Sequence, residues 1–211
     1  MLNRSMNDSN CHQPYIQSLP AKYQCLVWRG VFGLALFVAS ALMSGCASLQ
    51  PQDFAKSSTH FELDRYFIGH TRSWGVFENT HGAPRRTFTC DNRGVRDASG
   101  EVTLTQHFRF NDGKTQMRVW HIHRVDATHW DATANDMVGV AHGEGSGNAF
   151  YWEYNIAVDQ QNPLSTVHIR QWIYQPEGTD TLMTRLVVTK WGVTLFEVSE
   201  VIHRVSNDSG N

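Results

Sequence analysis

The sequence predicts an all-β protein in which an antiparallel meander of about eight to ten strands closes into a barrel. The first observation is that, from Arg72 onward, short runs rich in Val, Ile, Thr and aromatic residues alternate with turn residues. The second is that such a meander leaves two unpaired edges unless its first and last strands pair. A two-sheet sandwich is the alternative. A barrel of this size leaves an interior that can hold a small ligand.

The strand predictions follow from the positions of the turn residues. The pair Asp112-Gly113 gives the best hairpin signal, because a tight turn needs the positive φ angles that these residues tolerate. Residues 61–67, which precede the strands, predict a short helix. The predicted strands cover residues 72–78, 85–90, 102–110, 115–125, 130–134, 138–143, 149–158, 167–174, 182–189 and 193–203.

Residues 1–45 predict a signal peptide that is removed from the mature protein. Polar residues up to Arg29 precede an apolar run over residues 31–43, and small residues then lead to Cys46. This is the order of a secretory signal. The apolar run is shorter than the roughly 20 residues that a membrane-spanning helix needs, so a retained transmembrane anchor is disfavoured.

Residues 43–46 match the bacterial lipobox, which predicts that Cys46 carries acyl chains such as palmitate. Several chains on one cysteine give effectively permanent membrane attachment. Ala47 stands where inner-membrane lipoproteins of enteric-type bacteria carry Asp, which favours the outer membrane, with the protein facing the periplasm. Residues 46–58 are small and polar and predict a flexible tether. Residues 59–211 predict one barrel domain.

Composition excludes some classes of function. The chain has 18 Lys and Arg residues against 20 Asp and Glu, and the basic residues are scattered. Nucleic acid is therefore not an expected partner. Of the four cysteines, two leave with the signal peptide and Cys46 is lipidated, so Cys90 has no disulfide partner within one mature chain. A lone cysteine in a strand is expected in the core.

Several short segments of the mature chain form a recognisable set. They are Gly69 with residues 74–77, residues 112–113 with 118–120, residues 136–139 with Gly143, residues 147–149 and 152–154, Trp172, and residues 184–185 and 190–192. Together they resemble the domain-of-unknown-function 3833 family of bacterial lipoproteins, although the family's Asn before the arginine is Thr184 here. The resemblance implies lipidation and a lipocalin-like (calycin-type) barrel, and no established reaction. In such a barrel an early tryptophan packs under a late arginine at the floor, and Trp74 and Arg204 are suitably placed for this role.

Aromatic residues that share strand faces with arginines suit an amphipathic ligand with an acidic head. Arg118 and Trp120 share one such face. A buried arginine needs a carboxylate partner, which Asp136, Glu153 or the ligand would supply. Strand alternation leaves open which face is inside. The candidate ligand-binding residues are Arg118, Trp120, Asp136, Trp152, Glu153, Tyr154 and Arg185.

The sequence thus predicts a membrane-anchored binding protein for a fatty acid, a lipid fragment or another small amphipathic molecule. The alternatives are an enzyme acting on a membrane-lipid-derived substrate and a structural envelope lipoprotein with a filled barrel. No motif predicts catalytic residues, and no cofactor is expected. His121 and His123 share a face but supply only two ligands, so no metal site is predicted. The glycine-rich residues 143–147 predict a turn or bulge, because no helix follows to bind phosphate.

Overall fold

The computed structural model describes residues 48–205, and these form a closed antiparallel barrel. The predicted signal peptide, 1–45, and the predicted lipidation site, Cys46, lie outside the described residues. One short helix, α1, spans Leu63–Tyr66, and 3-10 helices span Pro51–Phe54 and Pro163–Ser165. The strands are β1 Gly69–Glu78, β2 Pro84–Arg96, β3 Val102–Phe110, β4 Thr115–Arg124, β5 His129–Ala134, β6 Met137–Ser146, β7 Ala149–Ala157, β8 Thr166–Tyr174, β9 Thr181–Lys190 and β10 Val193–Arg204.

Pairing of the first and last strands closes the barrel. Each strand pairs with its neighbours in the chain, and β1 pairs with β10 from Thr71 opposite Arg204 to Glu78 opposite Glu197. The barrel prediction is confirmed, and the sandwich alternative is wrong. The predicted Asp112-Gly113 hairpin is also present, with Gly113 at a φ of 81° and paired strands on both sides.

All of the predicted strands are present, and β2 differs most from its predicted extent of 85–90. Its second half is polar, but the polar residues alternate between two environments. Asp91 faces outward and bonds to His70 at 2.9 Å and to Arg72 at 3.1 Å on β1. Asn92 is buried in the interior and accepts a hydrogen bond from Gln106. A polar segment therefore continues as a strand, because each side chain finds a partner.

Helix α1 and its flanking residues close one end of the barrel, which we call the closed end. Phe61, Leu63, Tyr66 and Phe67 are buried there in the main hydrophobic core. Gly94 allows this packing, because a Cβ at that position would lie 1.8 Å from the carbonyl oxygen of Phe67. The predicted short helix is confirmed, although it is only one turn long. Within residues 48–205 no helix is long and apolar enough to cross a bilayer.

The floor of the barrel uses a different aromatic residue from the predicted one. The guanidinium carbon of Arg204 lies 4.8 Å from the ring centroid of Tyr66. Trp74 is 48% exposed and lies on the outside beside His203. The predicted Trp74–Arg204 pair is wrong, because Trp74 follows the buried Ser73 on β1 and alternation turns its side chain outward.

The segment predicted as a flexible tether, 46–58, contains a packed 3-10 helix. Pro51 is buried, and the ring of Phe54 lies 5.9 Å from that of Trp172 and 6.1 Å from that of Tyr174. Gly147 allows the close approach, since a Cβ there would lie 1.9 Å from the carbonyl oxygen of Phe54. The small, polar composition of this segment gives no sign that Phe54 reaches an aromatic contact outside the barrel.

The glycine-rich segment 143–147 is mostly strand, which corrects the predicted turn or bulge. Gly143 and Gly145 belong to β6 and are buried. A Cβ at Gly143 would lie 2.3 Å from the ring of Phe150, and a Cβ at Gly145 would lie 3.1 Å from the ring of Trp130. These glycines therefore make room for aromatic side chains inside the barrel, and only Gly147 and Asn148 form the turn.

Candidate functional site

The barrel encloses a cavity of about 580 Å³. Its walls are mostly aromatic and aliphatic, and its floor includes Leu63 and Phe67 at the closed end. At the opposite end, which we call the mouth, the cavity reaches Arg86, Gln116 and Gln160 near the strand ends and hairpins. The volume falls within the usual range for small-molecule sites, about 300–1,000 Å³. The filled-barrel alternative is therefore wrong.

Five of the seven candidate residues from the sequence line this cavity. They come from three regions of the barrel: β4, the turn between β5 and β6, and β7. Side chains on β4 and β7 point inward at every second position. The five residues are Arg118, Trp120, Asp136, Trp152 and Tyr154.

The other two candidates, Glu153 and Arg185, lie on the outside of the barrel. Glu153 bonds to Tyr151 and lies 3.1 Å from His168. Arg185 forms an ion pair with Glu197. Their inward-facing neighbours on β7 and β9 occupy the cavity wall, so strand alternation sends both charged side chains outward. The structure therefore does not bring Glu153 and Arg185 together with the other five candidates in this cavity.

Arg118 and Asp136 form a closed ion pair at the mouth. Arg118 donates through Nε at 2.9 Å and through Nη2 at 2.8 Å to the two carboxylate oxygens of Asp136. Their side chains are only 14% and 12% exposed. This two-point geometry is the strong form of an arginine–carboxylate contact. The carboxylate predicted to partner a buried arginine is therefore Asp136, and the arginine charge is neutralised within the protein.

Two glutamines missed from the sequence orient the aromatic wall. The indole of Trp120 donates to Gln106 at 2.7 Å, and the indole of Trp152 donates to Gln171 at 2.8 Å. Tyr154 also donates to Gln171, at 2.9 Å, and burial raises the pKa of its hydroxyl. The two indoles stack with centroids 4.9 Å apart. These bonds fix the aromatic rings, because a buried indole or phenol needs an acceptor.

Glu200 is an acidic residue in a mostly apolar part of the cavity wall, and the sequence analysis does not predict it. It lies on β10 opposite Thr184 of β9 and lines the cavity among apolar residues. Burial raises the pKa of its carboxyl to about 7, although the Ser73 hydroxyl and the Arg118 charge act in the opposite direction. The alternation of Phe196, Val198 and Ile202 along β10 could have revealed its inward position.

The histidines and the free cysteine of the described residues form no metal-binding or reactive cluster. Residues 48–205 contain no group of three or more His, Cys, Asp or Glu side chains that could hold a metal, and His121 pairs with Glu101 instead. Cys90 is buried as expected, and burial raises the pKa of its thiol. The cavity can surround an apolar or amphipathic molecule, and the titratable carboxyl of Glu200 lies at mid-height in its wall.

Comparisons with known proteins agree with this architecture. A family model described as "Protein of unknown function (DUF3833)" matches residues 40–204. The S-type phycobiliprotein lyase CPES from Guillardia theta is similar in structure, with a TM-score of 0.52 and 10% sequence identity, over 74% of this chain and 98% of that one. No curated protein matches the sequence. At this identity the likeness shows the fold alone, and it confirms the predicted lipocalin-like barrel.

Proposed function

Because the chain belongs to the DUF3833 family, whose description names no activity, we propose its function from its own cavity: the barrel binds a small apolar or amphipathic molecule. The observation that carries this proposal is the open interior of about 580 Å³ with its largely aromatic and aliphatic walls. A cavity of this kind, with a few fixed polar groups, is typical of a small-molecule site. The lipocalin-like fold supports a ligand-binding barrel.

A membrane location would supply suitable ligands, and we propose it as the second part of the function. A signal peptide over residues 1–45 and lipid attachment at Cys46 would hold the protein on the outer membrane, facing the periplasm. The described chain begins beside the closed end, where the 3-10 helix from Pro51 packs against β6 and β7. The mouth lies at the other end of the barrel domain, so a fatty acid or lipid fragment could enter without passing the point where a tether attaches.

Cys46→Ser is expected to move the protein out of the membrane fraction, because the serine cannot carry the thioether-linked lipid. The measurement is sedimentation of bacterial envelopes followed by intact-mass analysis of the protein. The unchanged chain should sediment with outer membranes and carry added acyl mass. If both forms sediment alike and neither carries lipid, anchoring through Cys46 is excluded.

Leu186→Trp is expected to reduce ligand binding by at least about tenfold, since the larger ring would occupy the cavity that Leu186 lines. Val187→Trp is the matched control, because the neighbouring residue on β9 faces outward. Native mass spectrometry of the full chain would first identify any copurified small molecule. Calorimetry with that molecule, or with a panel of fatty acids, fatty alcohols and fatty amines, would then compare the two variants.

The binding proposal fails if neither a copurified molecule nor any member of the panel binds the unchanged chain. It also fails if Leu186→Trp binds as well as Val187→Trp while both remain folded by circular dichroism. Selective loss in Leu186→Trp would assign binding to the interior instead of the outer surface.

A further inference from the structure

The polar groups of the cavity differ in whether their hydrogen bonds are already used. Gln106 accepts from Trp120 and donates to Asn92. Gln171 accepts from Trp152 and Tyr154 and donates to Thr184. Both amides are therefore committed to the wall. A ligand that bonded to either of them would first have to break contacts within the protein, which is unfavourable in a buried site.

Among the described residues, the arginines that line the cavity are Arg86 and Arg118, and both are paired with carboxylates near the mouth. Arg118 uses Nε and Nη2 on Asp136, and Gln116 donates a further bond to the same carboxylate at 3.1 Å. Arg185, the other arginine expected from the sequence to meet a ligand, points outward. An acidic headgroup would therefore meet no uncommitted arginine at mid-height, which removes the basis for expecting recognition of an acid there.

Glu200 differs from these groups because its carboxylate has no paired cation among the described residues, although the Ser73 hydroxyl lies close enough to lower its pKa. Within residues 48–205, no Lys, Arg or His nitrogen lies within the 4.0 Å of its carboxylate that defines an ion pair. Its side chain lines the cavity, beside Thr184, whose hydroxyl already accepts from Gln171. A carboxylate in a largely apolar cavity without a paired cation is costly unless something compensates it. A donor group on the ligand would provide that compensation.

We infer that Glu200 receives the polar group of the ligand, and that this group is a hydrogen-bond donor, preferentially a protonated amine, on an otherwise apolar molecule. The inference rests on the proposed binding function. It replaces the acidic head expected from the sequence with a cationic or donor head. It also places that head at mid-height in the barrel, with the apolar part of the ligand along the aromatic wall that includes Trp120 and Trp152.

The groups that face Glu200 determine how binding depends on pH. Arg118 from β4, Tyr154 from β7, Cys90 from β2 and the Ser73 hydroxyl from β1 all interact with it electrostatically. Burial raises the pKa of both the Cys90 thiol and the Tyr154 hydroxyl, so neither ionises near neutral pH. A change in the affinity for an amine between mildly acidic and mildly basic pH therefore reports Glu200.

The experiment compares decylamine, decanol and decanoic acid, which share one chain length, by calorimetry on the purified full chain. At about pH 8.5 the amine is still protonated, and we expect it to bind roughly tenfold more tightly than the alcohol, with the acid weakest. At about pH 5.5, where Glu200 is protonated, the preference for the amine should largely vanish. Glu200→Gln should lose the preference at both pH values.

Glu197→Gln is the matched control, because Glu197 lies on the same strand, faces outward and pairs with Arg185. It should keep the preference for the amine. Tightest binding of decanoic acid, or an amine preference that survives in Glu200→Gln, would overturn the inference while leaving the binding proposal intact. Absence of binding by all three probes, with Leu186→Trp no different, would instead count against the binding proposal. The pH comparison uses the unchanged chain, so it decides even if Glu200→Gln does not fold.

Discussion

Asp64→Asn is expected to lower the free energy of unfolding by about 3 kcal/mol near neutral pH. Asp64 is 2% exposed at the closed end. It accepts hydrogen bonds from Arg96 at 2.8 Å and from the indole of Trp130 at 2.9 Å, and Arg124 lies 3.8 Å away. The two arginine side chains are about one third exposed, so water would partly compensate them, which keeps the loss at the lower end for a broken buried pair. Guanidinium titration followed by tryptophan fluorescence measures it.

The pH dependence of this effect gives an independent check. Burial acts to raise the pKa of Asp64, but the bonds from Arg96 and Trp130 and the charge of Arg124 outweigh it and lower the pKa below 3.8. A lowered folded-state pKa contributes stability that is present above about pH 4 and is lost as the pH falls through the folded value. The difference between the unchanged chain and Asp64→Asn should therefore shrink below about pH 4.

Asp131→Asn is the control for this prediction, because that carboxylate is 43% exposed and pairs with His142. Exposed pairs contribute about 0–1 kcal/mol. An equal loss in both variants, or a loss in Asp64→Asn that does not change with pH, would contradict the assignment of a buried charge cluster at the closed end.

The antiparallel meander and the presence of a barrel could be predicted because they depend on local patterns. Alternating residues and turn pairs such as Asp112-Gly113 mark strands and hairpins one at a time. Closure then follows from the need to satisfy the edges of a long meander. The ends of strands are less certain, since a polar strand such as the second half of β2 depends on partners that only the folded barrel supplies.

The site could be predicted only in part, because a face shared by two residues does not say which side of the barrel it is on. Trp152 and Tyr154 share one face of β7, whereas alternation turns Glu153, which lies between them, to the other face. Arg185 is a candidate only through the resemblance to the family, which carries no information about the face of β9 on which it lies.

The roles of Glu200 and Tyr66 could not be predicted for a different reason, because both depend on contacts between parts of the chain that are distant in sequence. Glu197 and Glu200 are of the same type and three positions apart on β10, so one faces outward and the other inward. The alternation along β10 can indicate which of them faces inward, but it does not say which of them has a cation as a partner. The register with β9 decides which carboxylate is paired. It places Glu197 near Arg185, with which it forms an ion pair, and it places Glu200 opposite Thr184. The role of Tyr66 at the floor likewise depends on how α1 folds over the barrel end.

Glu200→Gln is expected to raise the free energy of unfolding by about 2–3 kcal/mol at about pH 8.5 and to change it little at about pH 4. Burial raises the pKa of Glu200 from 4.5 to about 7, so between these values the folded state binds more protons than the unfolded state. Stability should therefore fall as the pH rises through this interval and stay lower above it. Glutamine keeps the shape of the side chain and removes the charge that causes this loss. Denaturant titrations at several pH values give the curve.

Glu197→Gln should show no gain at high pH, since Glu197 is paired with Arg185 at the surface. A gain for Glu200→Gln that is the same at all pH values, or a loss at about pH 8.5, would mean that the carboxyl is not held in an unfavourable environment. A gain limited to high pH has a functional implication. A side chain that destabilises its own fold when charged is characteristic of a site whose compensation comes from a ligand. Saturating decylamine should then stabilise the unchanged chain at about pH 8.5 more than it stabilises Glu200→Gln, because binding to the folded state adds to its stability.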